Sequence, residues 1–159
     1  MKTSAGILLY RLVEGVPQVL LVHPGGPFWA KKDLGAWSVP KGEFTDEAPL
    51  VAARREFREE LGRDVDGTFI PLSPVRQASG KLVHVWAVEG DFAVETLRSN
   101  TFEMTWPPRS GKVVAFPEVD RAAWFGLEEA RRKINPGQVP LVDELEAILP
   151  GGEQGERGP

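Results

Sequence analysis

Apolar and polar positions change rhythm several times along the chain, and each change marks an element. Residues 4–10, Ser-Ala-Gly-Ile-Leu-Leu-Tyr, form a short apolar run that Arg11 ends. Gln18-Val19-Leu20-Leu21-Val22 is a second run, and the Gly15-Val16-Pro17 turn signal before it predicts a β-hairpin. A loop rich in glycine and proline spans Pro24 to Ala36. Trp37-Ser38-Val39 reads as a short strand stopped by Pro40. Over 47–61 the period lengthens: Leu50, Ala53, Phe57 and Leu61 fall on one stripe at about 100° per residue, which predicts a helix packed on a sheet. Thr45 or Asp46 is the expected N-cap, Pro49 belongs to the first turn and Gly62 is the stop. Phe69-Ile70 is weakly strand-like, 82–88 is a strong strand, 95–111 is polar, and 113–116 is a further strand. Helices are expected over 127–134 and, after Pro136-Gly137, over 139–149. Strands and helices mix without strict βαβ alternation, so the expected class is α/β of the α+β kind, a mixed sheet with helices packed on it.

The length of 159 residues favours one domain, expected to span 3–149. Residues 150–159 offer nothing apolar to bury and read as a flexible tail. The first apolar stretch is too short for a signal or membrane segment, and no later run is long enough. With no cysteine in the chain, this suggests a cytoplasmic protein. The missing thiols exclude disulfides, thiolate zinc sites, iron–sulfur clusters and cysteine nucleophiles. Two histidines, His23 and His84, supply a transition-metal site poorly, which leaves general-base work to carboxylates. A net charge of −4 argues against a broad basic face for duplex nucleic acid.

The chemistry concentrates on the first helix. Glu56 and Glu60 are i,i+4 neighbours along one edge of its apolar stripe, Glu59 lies just beyond, and Arg54, Arg55 and Arg58 project from the other side. Like charges at that spacing repel by a few tenths of a kcal/mol in water, and by more beside a buried face. Clustered carboxylates offset that repulsion by binding a hard divalent cation such as Mg²⁺ or Mn²⁺, which takes oxygen ligands and keeps open positions for phosphate chemistry. The competing reading is a solvated Glu/Arg face with Arg55 paired to Glu59.

The preceding loop separates the two. Pro40-Lys41-Gly42, an acidic residue, then Arg55-Glu56-Phe57-Arg58-Glu59-Glu60-Leu61-Gly62 closely resembles the Nudix box. The opening strand, Trp37–Pro40 before the box and Trp124-Phe125 near a later helix are also Nudix-like, so the resemblance covers about 3–149. It is similar above all to a little-characterised bacterial branch of predicted NTP pyrophosphohydrolases. Two positions depart from the pattern. The first box glutamate falls on Ala48 counted from Gly42 but on Glu47 counted back from Arg55; Glu47 is favoured, because helical spacing is rigid while a loop can shorten. The apolar position after Gly62 is Arg63.

The resemblance implies a Nudix fold, a mixed sheet sandwiched between helices. It implies Mg²⁺ (or Mn²⁺) held by Glu56, Glu59, Glu60 and the Gly42 carbonyl, with Arg55 positioning the glutamates or pairing with Glu47. The implied reaction is hydrolysis of a pyrophosphate bond in a nucleoside diphosphate linked to another moiety: an NTP or dNTP, a dinucleoside polyphosphate or a nucleotide sugar. Glu118 is the candidate general base outside the helix, ahead of Glu103. Lys41, Lys32, Arg76, His84 and Trp86 are candidate substrate contacts. Lys31, Lys81 and Arg109 as further cations, and Trp29 and Trp106 as base-stacking rings, are alternatives to ordinary surface or packing roles. Expected partners are a nucleotide-type small molecule, no duplex nucleic acid and no membrane, with a homodimer expected from the resemblance alone. The alternative function is a nucleotide sensor that binds without cleaving, against which the clustered acids speak. An isomerase of allylic diphosphates would want a cysteine. There is no P-loop (Trp106 and Val113 break it around Gly111-Lys112), no nucleophile elbow and no His-Glu-x-x-His.

Overall fold

The computed structural model describes residues 3–150. The tail expected at 150–159 thus lies outside the described residues, apart from Pro150. Nine strands are described: β1 (Thr3–Val13), β2 (Val16–Pro24), β3 (Lys41–Glu43), β4 (Ile70–Pro71), β5 (Val75–Arg76), β6 (Leu82–Glu89), β7 (Thr101–Thr105), β8 (Val113–Pro117) and β9 (Val119–Gly126). The helices are α1 (Pro49–Leu61), α2 (Leu127–Lys133) and α3 (Val139–Ile148). A seven-stranded mixed sheet runs in the order β4-β6-β1-β2-β9, with β3 also on β1 and β5 also on β6; β1 and β6 are parallel and the other pairs antiparallel.

Alternation along the central strands divides the core. Ala5, Ile7 and Leu9 of β1 and Leu20 and Val22 of β2 face α1, joining Ala52, Ala53, Phe57 and Leu61. Leu8, Tyr10, Val19 and Leu21 point the other way, to α2 and α3, against Ala130, Leu141, Val142 and Leu145. The period of two thus places helices on both faces, as expected for a sandwiched mixed sheet.

Several local expectations are corrected. The first hairpin is longer than 4–10 and 18–22, and its turn is Glu14-Gly15, both at positive φ (53° and 82°), the pattern of a tight two-residue loop. Trp37-Ser38-Val39 makes only isolated bridges, from Ser38 to Val22 and from Trp37 to Ile134. The strand lies beyond Pro40, at β3, where β1 offers an edge. Helix α1 starts at Pro49, not at 47, and neither Thr45 nor Asp46 caps it. Ala48 is the N-cap, extended at ψ 140° because the following proline disfavours helical geometry there. The sequence pattern does not announce β5, β7 or β9. The stretches that hold β7 and β9 read as polar or as loop; β7 is a strand by pairing with the next strand, β8, and β9 by pairing with the distant β2.

Candidate active site

Three segments distant in the chain meet at one end of the sheet. Strand β3 brings Gly42, α1 brings Arg55, Glu56, Glu59 and Glu60, and the residue between β8 and β9 is Glu118. Gly42 pairs with Ala5 of β1 and faces α1. A Cβ at position 42 would lie 2.0–2.3 Å from the Glu56 carboxyl group, so only glycine admits that carboxylate against the β3 backbone. Glu56 is accordingly buried. Burial pushes its carboxyl above the usual range, Arg55 opposes this, and Glu59 and Glu118 add to it. Glu60 is pushed well above, first by burial, then by Glu56 and, after the opposing Lys41, by Glu118; its carboxylate also accepts the Lys41 backbone N–H. Glu118 is raised by burial and by Glu59.

Arg55 ties the acids together. Its Nε and Nη2 grip Glu47 (2.9 Å to Oε2, 2.7 Å to Oε1), and its Nη1 donates to Glu56 Oε2 at 3.0 Å and to Glu59 Oε2 at 3.1 Å. These bonds hold the Glu47 carboxyl below its ordinary value. Glu47 precedes the helix, yet it forms the ion pair expected when counting back from Arg55. The solvated-face reading of α1 therefore fails at Glu56, although its Arg55–Glu59 pair is present.

A cleft of about 140 Å³ opens beside the cluster, lined by Lys41, Glu60, Glu118, Ser38 and the apolar Val22, Pro24, Val39 and Val119. Burial lowers the Lys41 ammonium, and the nearby Lys81 lowers it further. Among the described residues, no three histidine or acidic side chains already converge as a metal-binding group. Arg55 holds the space between Glu56 and Glu59. The donor chemistry nevertheless fits a hard divalent ion: all-oxygen side chains, the buried Glu56 and the half-buried Glu60 one turn apart, beside a backbone that a Cβ would block.

The other candidates are spread more widely. His84 lies half-buried in the cross-strand row His84–Ala5–Gly42, on the face that carries α1. Trp86 is half-buried against the apolar cluster under α1. Lys81 pairs with Glu43 at 2.7 Å. The Arg76 guanidinium donates to the Gly80 carbonyl. Lys32 stands 5.2 Å over the Trp29 ring. Glu103 faces outward on β7, and Arg109 is in the β7–β8 turn at φ 65°. Sequence reasoning missed the supports of Glu118. Its N–H donates to the Asn100 carbonyl at 2.8 Å, and its carbonyl accepts from Gly25 at 3.0 Å. It also missed the bridge of the buried His23, whose Nδ1 meets Asp120 at 2.8 Å and whose Nε2 meets the Lys32 carbonyl at 2.7 Å; its only sequence signal is a histidine at the start of the Pro24-Gly25-Gly26 turn.

A mixed sheet between helices, with a box of acids on α1, defines a class, and comparison names it. A NUDIX domain model matches residues 2–145, and the chain belongs to the NUDIX family. Among solved structures, a Caenorhabditis elegans Ap4A hydrolase binary complex is similar at 24% identity and a TM-score of 0.65, over 95% of this chain and 99% of that one. The NUDIX domain of Shewanella oneidensis NrtR, complexed with ADP ribose, matches at 15% identity and 0.61, over 92% and 87%. The Escherichia coli ORF135 protein matches at 25% and 0.55, over 93% and 91%. No curated protein matches in sequence.

Proposed function

We propose that this protein hydrolyses a phosphoanhydride bond, with a divalent metal, in a nucleoside diphosphate linked to another group: an NTP or dNTP, a dinucleoside polyphosphate or a nucleotide sugar. The observation that carries this reading is the burial of Glu56 against the Gly42 backbone, with the half-buried Glu60 one turn on and Glu118 near enough to act on both. Such acids repel one another in the bare protein and call for a cation. The family, and an Ap4A hydrolase among proteins of the same fold, support a pyrophosphate substrate.

Glu56, Glu59, Glu60 and the Gly42 carbonyl would hold Mg²⁺ or Mn²⁺. Such an ion supplies positive charge to a diphosphate and lowers the pKa of a bound water. The chain's own groups do the rest. Arg55 fixes the orientation of Glu56 and Glu59 through Nη1. Glu118 takes the proton of the attacking water at its carboxylate, a task that a raised pKa suits. Lys41, lining the cleft, meets phosphate oxygens. A small nucleotide rather than a duplex as partner, and the cytoplasm as compartment, belong to the same proposal. No described helix is long and apolar enough to cross a membrane.

The test is phosphate release over a nucleotide panel with Mg²⁺ and Mn²⁺. Metal-dependent turnover is expected to fall at least about 100-fold in Glu56→Gln, or about 2.7 kcal/mol of transition-state stabilisation. Equal activity in that variant sinks the metal assignment. Tight nucleotide binding with no turnover on any diphosphate replaces the hydrolase by a sensor.

A further inference from the structure

Strand β9 does not pair evenly with β2. From Gln18–Gly126 to His23–Arg121 the two strands run in step, but Pro24 then lies opposite Val119, so Asp120 is an extra residue, a β-bulge. Side-chain directions show the same step. Ala123 and Phe125 join the core on the α2–α3 face, and Ala122 and Trp124 pack on the α1 side. Strict alternation would put Asp120 with the second pair and Val119 with the first. Instead Val119 is buried in the cluster under α1, while Asp120 turns to the other face and meets His23 there. Its neighbour Arg121 is on that face too, 5.2 Å over the Trp37 ring.

The bulge has a lock. The His23 ring is wholly buried, edge-on to Trp37 at 5.2 Å. Its Nδ1 meets Asp120 Oδ1 at 2.8 Å, and its Nε2 donates to the Lys32 carbonyl at 2.7 Å. Both ring nitrogens are thus used, and the ring is fixed from two sides. The bulge also lies at the threshold of the candidate site. Glu118, two residues before Asp120, lines the cleft with Lys41 and Glu60, and so do Pro24 and Val119, the pair just past the bulge. Gly25 N–H donates to the Glu118 carbonyl at 3.0 Å. In an unbulged ladder Pro24 would face Asp120, and Glu118 would shift along β2 by one residue, about 3.3 Å. The Gly25 bond would be lost, and Val119 would leave the core under α1.

We infer that Asp120 and His23 are positioning residues: their bond holds the bulge that presents the Glu118 carboxylate to the acids of α1. This rests on the reading of Glu118 as the base of a hydrolase, and adds a pair outside the cleft on which that base depends. Neither is among the residues that line the cleft. A general base acts only within hydrogen-bond reach of the water, so a displacement of about 1 Å or more costs rate rather than substrate binding.

The test compares wild type, Asp120→Ala and Asp120→Asn, each also in the Glu118→Gln background, on whichever nucleotide turns over with Mg²⁺. An asparagine amide donates to Nδ1 while Nε2 keeps the Lys32 carbonyl, so it preserves the lock. Asp120→Ala is expected to lower kcat about tenfold with KM within about twofold, and Asp120→Asn to keep kcat within about twofold of wild type. With Glu118→Gln already present, Asp120→Ala is expected to change kcat by less than about twofold, because it acts through Glu118. An equal loss in both backgrounds, or unchanged kcat in Asp120→Ala, overturns the positioning role and leaves the hydrolase standing. Should Asp120→Ala not fold, Asp120→Ser, too short to reach the ring, takes its place. Amide hydrogen exchange of the unliganded wild type and variants reads the lock without turnover. Asp120→Ala is expected to speed exchange at the Gly25 and Glu118 N–H groups about tenfold or more and to leave Val85 in β6 unchanged. Exchange indifferent to Asp120, or faster by the same factor at Val85, overturns the lock. If no diphosphate is cleaved, the hydrolase reading falls while exchange still decides whether this bond holds the bulge.

Discussion

An ionised carboxylate loses stability when it is drawn out of water and set beside another, and Glu60 suffers both effects. With its folded pKa above the unfolded value, the folded state binds the proton more tightly. The metal-free protein is therefore most favoured below the ordinary carboxylate value of about 4.3 and loses that contribution as pH rises toward the elevated folded value. Glutamine keeps the shape and the acceptor for the Lys41 N–H without the charge. Glu60→Gln is expected to raise the metal-free Tm above that window by roughly 2–4 °C, the yield of about 1 kcal/mol at this size, while activity falls. Thermal unfolding with a chelator near pH 5 and pH 8 checks it, and a variant no more stable than wild type at the higher pH refutes it. At this scale the helix acids could be read from spacing alone. The depth of Glu56 could not, because it is set by a side chain that Gly42 lacks, on the strand before the helix.

The end of α1 shows what an element adds. Gly62 was readable as a stop, and it does adopt the left-handed conformation (φ 85°), with its N–H on the Arg58 carbonyl at 2.8 Å. Its second duty was not readable. A Cβ there would lie 2.7 Å from both Cβ and the carbonyl oxygen of Arg98. That segment leans on the helix end, Arg98 N–H on Leu61 and Asn100 N–H on Glu59, and Asn100 in turn receives the Glu118 N–H. Gly62→Ala should thus cost about 1–3 kcal/mol in denaturant unfolding and also lower kcat by disturbing Glu118. A stability loss with kcat unchanged would separate the helix end from Glu118. Elements defined by their own periodicity, such as β1, β6 and α1, were legible to within a few residues. Strands β3 and β9 exist only through partners far along the chain: Ala5 for Gly42 and Leu20 for Trp124. No local window contains those partners.

Taken whole, the chain folds so that β1 carries β3 on its edge and β2 carries β9, and these two pairings bring Gly42 and the residue before Val119 to the same end of α1. The net charge of −4 gives no hint that Glu56, Glu59, Glu60 and Glu118 gather there, since cations elsewhere conceal them. If the proposed ion fills it, a site that is repulsive when empty would make the stability of the whole fold depend on that ion. A cation that binds only the folded state adds about 2.7 kcal/mol at one hundred times its Kd. For a chain of this length, saturating Mg²⁺ or Mn²⁺ should then raise Tm by roughly 5–10 °C. In Glu56→Gln the rise should largely vanish, from a metal-free Tm no lower than wild type. Sodium chloride at matched ionic strength is the control, because simple screening also relieves repulsion between partly exposed acids. An equal rise in Glu56→Gln, or one that sodium chloride reproduces, would mean that the four acids do not act together on an ion and that their gathering answers to packing alone.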